Sequence, residues 1–83
     1  ELLPLLNLTE AGFRAKFEGS PIRRARRDGF VRNVTIALGN TAGEEALAPL
    51  VSAARDDNSE LVREHAAWAV SRIPERLKSG RTP

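Results

Sequence analysis

The chain has 83 residues, 13 Lys and Arg against 11 Asp and Glu, and neither cysteine nor methionine. A chain of this length has room for one small domain that buries only about 60% of its unfolded surface, so the core is marginal without neighbours. Without cysteine it has no disulfide framework, thiolate nucleophile, cysteine-ligated zinc or iron–sulfur cluster of its own.

The absence of methionine, with Glu1 at the start, predicts a processed chain or a piece of a longer one, and the second reading is preferred. No apolar run approaches the roughly 18 residues of a membrane helix, and no leader pattern is visible, so a soluble chain without membrane contact is expected. Charge is segregated along the sequence. Phe13 to Arg32 holds seven cations and two anions, Glu44 to Glu64 holds six anions and two cations, and the chain from His65 onward is basic again. Such separation predicts one or two basic patches aimed at a polyanion.

Residues 1–8, with five leucines around Pro4 and Asn7, read as a linker or the end of a preceding element. Thr9 is a good N-cap for a helix from Glu10 to Glu18, with Phe13 and Phe17 stacked on its buried side and Gly19 ending it. Ser20 with Pro21 predicts a second, brief helix that Asp28-Gly29 breaks or bends. A third helix follows from about Gly29 to Leu38, apolar on nearly every side, with Gly39-Asn40 as a left-handed stop.

After a turn at Thr41 to Gly43, Leu47, Leu50, Val51 and Ala54 recur at the spacing of an amphipathic helix, with Pro49 tolerable if it falls in the first turn. Ser59 then caps a last helix, Glu60 to Ile73, which Pro74 terminates. One stripe of that helix carries Val62, Ala66, Ala69, Val70 and Ile73, and a second carries Leu61, His65, Trp68 and Arg72. The polar tail, 75–83, is assigned no structure.

Shifting the chain on itself by 32 residues aligns Phe30 with Val62, Val34 with Ala66, Ile36 with Trp68, Ala37 with Ala69 and Leu38 with Val70. Paired helices at this period predict an all-α, short HEAT-like helical repeat, or α-α superhelix, of about five helices over residues 9–74.

Candidate binding residues fall in two groups. Arg23, Arg24, Arg26 and Arg27 place four cations in five positions, where the planar guanidinium fork suits phosphate oxygens. The alternative is a solvated face paired with Glu18, Asp28 or the acidic second half. Arg32 is evenly balanced between the two readings, whereas Asn33 reads as a cap or inter-repeat hydrogen bond more than as an RNA contact. His65, Trp68 and Arg72 share one stripe and correspond, at the 32-residue offset, to Asn33, Ile36 and Asn40. Tryptophan there could stack on an unpaired base and histidine could meet a phosphate or sugar hydroxyl. The plainer reading has Trp68 packed on the next helix and His65 bonded within the repeat. A single histidine supplies too few ligands for a metal, and no serine has a general base at motif spacing.

The run FEGSPIRRARRDGFVRNVTIALGN, residues 17–40, followed by VREHAAWAV, residues 62–70, resembles the C-terminal region of the bacterial epoxyqueuosine reductases. Two separated motifs in the right order carry the resemblance, which covers nearly all of Leu8 to Ile73. It implies a cytoplasmic parent enzyme that uses cobalamin and two [4Fe–4S] clusters to reduce epoxyqueuosine at the wobble position of tRNA. Those cofactors would belong to N-terminal catalytic domains of the same polypeptide, so no catalytic or cofactor-binding residue is carried over to this chain. What the resemblance implies here is a share of the tRNA-docking surface. The competing reading is a HEAT-like protein–protein adaptor.

Overall fold

Thr9 opens the first helix as its sequence predicts. In the computed structural model, which describes residues 2–19 and 26–80, the Thr9 hydroxyl accepts a hydrogen bond from the Gly12 amide at 3.0 Å. Glu10 stands in the first turn, favourable at the positive end of a helix. This helix, α1, spans Glu10–Lys16 and is followed by Gly19 at φ 77°. Phe13 is fully buried and meets Phe17 at 5.1 Å between ring centroids, as expected. Phe30 completes the cluster at 5.6 Å from Phe13 and 5.0 Å from Phe17, with tilted rings, and so holds α1 against the next helix.

The brief helix expected at Ser20 lies outside the described residues, as do Arg23 and Arg24. Helix α2 runs unbroken over Arg26–Thr41 and corrects two expectations. Asp28-Gly29 neither breaks nor bends the chain there, because it falls in the first turn, where a carboxylate is favourable and helix bonds are not yet complete. Nor does Gly39-Asn40 end the helix. Gly39 is buried within α2, where a Cβ would come within 2.6 Å of Trp68 Cζ3, so the glycine makes room for an indole instead of providing a left-handed turn.

A 3₁₀ turn, Glu44–Ala46, leads into α3, Leu47–Asp56, with Pro49 in the first turn as anticipated. The buried side of α3 differs from the expected stripe. Leu50 and Ala53 face inward while Val51 remains 44% exposed. Ser59 caps α4, its hydroxyl accepting from the Val62 amide at 3.3 Å.

Helix α4 spans Glu60–Gly80 and passes through Pro74, where the sequence predicts its end. Proline costs one helical N–H. Two turns' worth of chain beyond it stay helical, and Arg76 from that extension donates to the carbonyls of Gly39 at 3.2 Å and of Ala42. The Gly39 carbonyl in the last turn of α2 and the Ala42 carbonyl just beyond it thus find a donor on α4.

The core forms where α4 lies against both α2 and α3. Val62, Ala66, Ala69 and Ile73 are completely buried and meet Val31, Val34, Leu38, Leu50 and Ala53. Each large aliphatic side chain so buried contributes about 1.5–3 kcal/mol, and the alanines allow the helices to approach closely. Leu6, on a 3₁₀ turn Leu3–Asn7, is 1% exposed within the same cluster, so part of the segment expected to be a linker belongs to the core. The described residues are all-helical, with four α-helices and no strand, and the brief helix counted among the expected five lies outside them. No helix among them is long and apolar enough to cross a membrane.

Candidate nucleic-acid interface

The residues singled out for phosphate contact divide at the start of α2. Arg26 is exposed, with φ at 66°, a left-handed conformation uncommon for a residue with a side chain. Arg27, its neighbour, is turned inside. Its side chain is 11% exposed and its fork is bidentate to Asp57, at 2.6 Å and 2.9 Å, while Nε donates to the Leu8 carbonyl at 2.8 Å. Asp28 accepts a further bond at 3.2 Å. With every donor nitrogen engaged, Arg27 ties Leu8, just after the Leu3–Asn7 turn, to α2 and the α3–α4 connection and offers no free fork to a phosphate. Pairing with the acidic second half, the alternative weighed for the cluster, is what this arginine does.

Asp57 is held from several sides. It accepts from the Ser59 amide at 2.9 Å, and Arg63 donates to its carbonyl at 2.7 Å. The hydrogen bonds from Arg27 hold the Asp57 carboxyl below its usual range, against the opposing pull of burial, and the Ser59 amide acts in the same direction. The same bond raises the Arg27 guanidinium above its already high ordinary value.

The outer side of the molecule combines the other predicted residues. On α2, Arg32 is partly exposed and donates Nε to the Asn33 side chain at 3.1 Å. On α4, His65 Nδ1 lies 2.8 Å from the Leu61 carbonyl. A carbonyl can only accept, so Nδ1 carries the hydrogen of this bond. Trp68 packs an edge on Gly39 yet remains 42% exposed. Packing on the neighbouring helix and presenting a surface ring are therefore both true of this residue. Arg72 has a side chain 40% exposed and a loose contact with Glu75 at 4.0 Å.

Between the two helices runs a shallow, mainly apolar groove of about 440 Å³, lined by Ile36, Asn40, Glu64, His65 and Trp68. Ile36 and Asn40 are the counterparts of Trp68 and Arg72 at the 32-residue offset, so the two copies of the pattern face one another across it. Sequence reasoning missed Glu64 as a lining residue and Arg76 as the donor that closes α2. The VREHAAWAV spacing carries the first signal in the neighbouring positions of Glu64 and His65, whereas nothing local marks Arg76. Among the described residues no group of three or more His, Cys, Asp or Glu is placed to hold a metal ion.

No protein-family model matches the chain, and no solved structure matches it. Curated relatives do. The chain is 44% identical over 62 residues to an epoxyqueuosine reductase of Xanthomonas campestris, an alignment that takes in 75% of this chain and 18% of the relative. Identity is 40% over 72 residues with the epoxyqueuosine reductase of Pseudomonas aeruginosa, covering 87% of this chain and 20% of that one. With the Escherichia coli protein of the same name it is 34% over 76 residues, covering 92% and 20%. The chain thus spans about a fifth of the length of these relatives, and over most of its own length it is homologous to a segment of the epoxyqueuosine reductases.

Proposed function

We propose that this chain is a non-catalytic, HEAT-like helical domain of an epoxyqueuosine reductase-like protein, and that its outer face contributes a basic surface for tRNA in queuosine biosynthesis. The repeat reading is supported by α2 and α4, the two copies at the 32-residue offset, packing directly on each other. The function is carried by one observation. Arg72 stands one turn beyond the half-exposed Trp68 on α4 and Arg32 one turn before the groove residue Ile36 on α2; Arg72 has only a 4.0 Å contact with Glu75, and Arg32 a bond to the neutral Asn33. Arg26 adds an exposed cation at the end of α2, and Arg23 and Arg24 belong to the same proposed set.

Arg27 is left out of it, because its fork is occupied by Asp57. The chain contains no cysteine, so the donor set present does not fit an iron–sulfur cluster. Cobalamin and the two clusters would be bound by the rest of a parent enzyme, an oxidoreductase at work in the cytoplasm, where its tRNA is.

The test is tRNA binding by the full-length protein with Arg26, Arg32 and Arg72 changed together to Ser, measured across a salt series. Each arginine that neutralises a phosphate contributes about 0.7–0.9 to the slope of log affinity against log salt. A weaker complex with a shallower slope is expected. Unchanged affinity and slope would sink the tRNA reading. The exposed apolar side chains Val51, Leu61 and Trp68 favour a second reading, a protein–protein adaptor. On that reading the arginine variants leave tRNA affinity intact while Leu61→Ser and Val51→Ser weaken assembly with a protein partner.

A further inference from the structure

Helix α4 is continuous in shape but not in hydrogen bonding. Pro74 has no N–H, so the Val70 carbonyl one turn earlier receives no helical donor from it, and the ladder is missing a rung just before residues 75–80. A helical piece as short as 75–80 has no stability of its own, since isolated helices below about 12–15 residues are marginal in water. What keeps it helical is therefore tertiary, and two side chains supply it. Leu77 is partly buried against the core, and Arg76 donates Nε to the Gly39 carbonyl at 3.2 Å and a second guanidinium nitrogen to the Ala42 carbonyl. Glu75 makes only the 4.0 Å contact with Arg72, and Lys78 is exposed. Before Pro74 the anchorage is of another kind. Val62, Ala66, Ala69 and Ile73 are completely buried, so residues 60–73 cannot leave without opening the whole core.

We propose that residues 75–80 form a clasp that opens and closes as a unit separate from the rest of α4, with Pro74 as its boundary and Arg76 as its catch. In the closed form one guanidinium holds two pieces of backbone, the last turn of α2 and the chain just beyond it. In the open form the Gly39 and Ala42 carbonyls pass to water and the apolar surface under Leu77 is uncovered, while α2, α3 and the first part of α4 keep their packing. Local opening of this sort is expected where few buried contacts hold a segment to a well-packed core, and a short stretch that orders and disorders is one of the recurrent forms of conformational switch. The clasp is independent of the nucleic-acid reading, because neither Arg76 nor Leu77 belongs to the surface proposed for tRNA.

Native-state hydrogen exchange of the full-length protein, followed by mass spectrometry of peptides covering 60–73 and 75–80 across a series of low urea concentrations, tests this. In the wild type, 75–80 are expected to exchange faster than 60–73 and with little dependence on urea, because a local opening exposes little surface. Arg76→Ala should speed exchange of 75–80 by about tenfold or more, the factor that one charge-assisted hydrogen bond corresponds to, and leave 60–73 unchanged. Arg76→Lys keeps the charge but loses the fork and should fall between the two. Pro74→Ala restores the missing N–H and should slow exchange of 75–80 in both the wild-type and the Arg76→Ala backgrounds, which separates an open clasp from a misfolded one. Equal protection and equal urea dependence of the two peptides in the wild type would overturn the proposal, because α4 would then open as one unit. An Arg76→Ala protein in which 75–80 exchange as in the wild type, or in which 60–73 lose protection to the same extent, would overturn it as well.

Discussion

Arg27 and Trp68 mark two regions that differ in how they use the same two helices. At the Arg27 end, a guanidinium, the Asp57 carboxylate and a backbone carbonyl satisfy one another with side-chain exposures of 11% for Arg27 and 7% for Asp57, while Asp28 joins them from the surface. At the Trp68 end, an aromatic ring and several polar groups remain open to solvent. The first arrangement spends its hydrogen-bonding capacity inside the protein, and the second keeps it for something else. Four neighbouring arginines are therefore not one functional unit. What decides an arginine's role is the number of acceptors within reach, and for Arg27 these come from residues 19 and 30 positions away.

The sharpest way to break this contrast is to remove one side of the buried pair. Arg27→Ala leaves Asp57 buried without its partner and should destabilise the chain by about 3–5 kcal/mol, read as a fall in the urea midpoint. Replacing both partners by apolar residues, as in Arg27→Met with Asp57→Leu, should cost far less than either single change. A double variant as unstable as the two singles combined would mean that the pair acts independently.

Gly39 tests the opposite end. Gly39→Ala places a methyl group against the Trp68 ring, an overpacking that costs about 1–3 kcal/mol and should displace the indole from its groove. In a Trp68→Ala background the ring contact is gone and only a 3.2 Å approach to the Ala69 Cβ remains, so a gain in helix propensity of roughly 0.5–1 kcal/mol should offset much of the cost. The difference between the two backgrounds is measured by a thermal or denaturant double-mutant cycle. If Gly39→Ala costs the same in both backgrounds, the ring is not what requires glycine there.

Acid provides a graded test of the buried pair. The Asp57 carboxyl is depressed in the folded chain, so as pH falls the unfolded state takes up its proton first. Stability from this group is complete above the ordinary carboxylate pKa of about 3.9 and is lost as pH drops through the depressed value. Denaturant midpoints measured from neutral pH into acid should fall for the wild type and fall less steeply for Asp57→Asn.

The smallest effect on stability belongs to the outer face. Arg32→Ser and Arg72→Ser should each lie within about 0.5 kcal/mol of wild type, because neither side chain is buried or closely ion-paired. A large loss of stability would show that the outer cations are structural after all and would erase the difference between the two ends.

Much of the fold is legible in the sequence because it depends on short-range rules. Thr9 and Ser59 are caps by local chemistry, and Val62, Ala66, Ala69 and Ile73 form a stripe by helical periodicity. The kinship with the epoxyqueuosine reductases is legible as well, in two spaced motifs. Three errors arise where a residue's usual local meaning is overridden by a partner distant in the chain. Gly39 and Pro74 are helix terminators in isolation, yet here one admits an indole and the other is followed by an arginine bonded back to α2. Arg27 looks like one cation of a surface cluster until Leu8 and Asp57 are brought to it. Periodicity and capping are encoded within a few residues and can be read from the chain. Burial, the fate of each donor and the meeting of α2 and α4 at one groove depend on which helices pack together, and only the tertiary structure decides that.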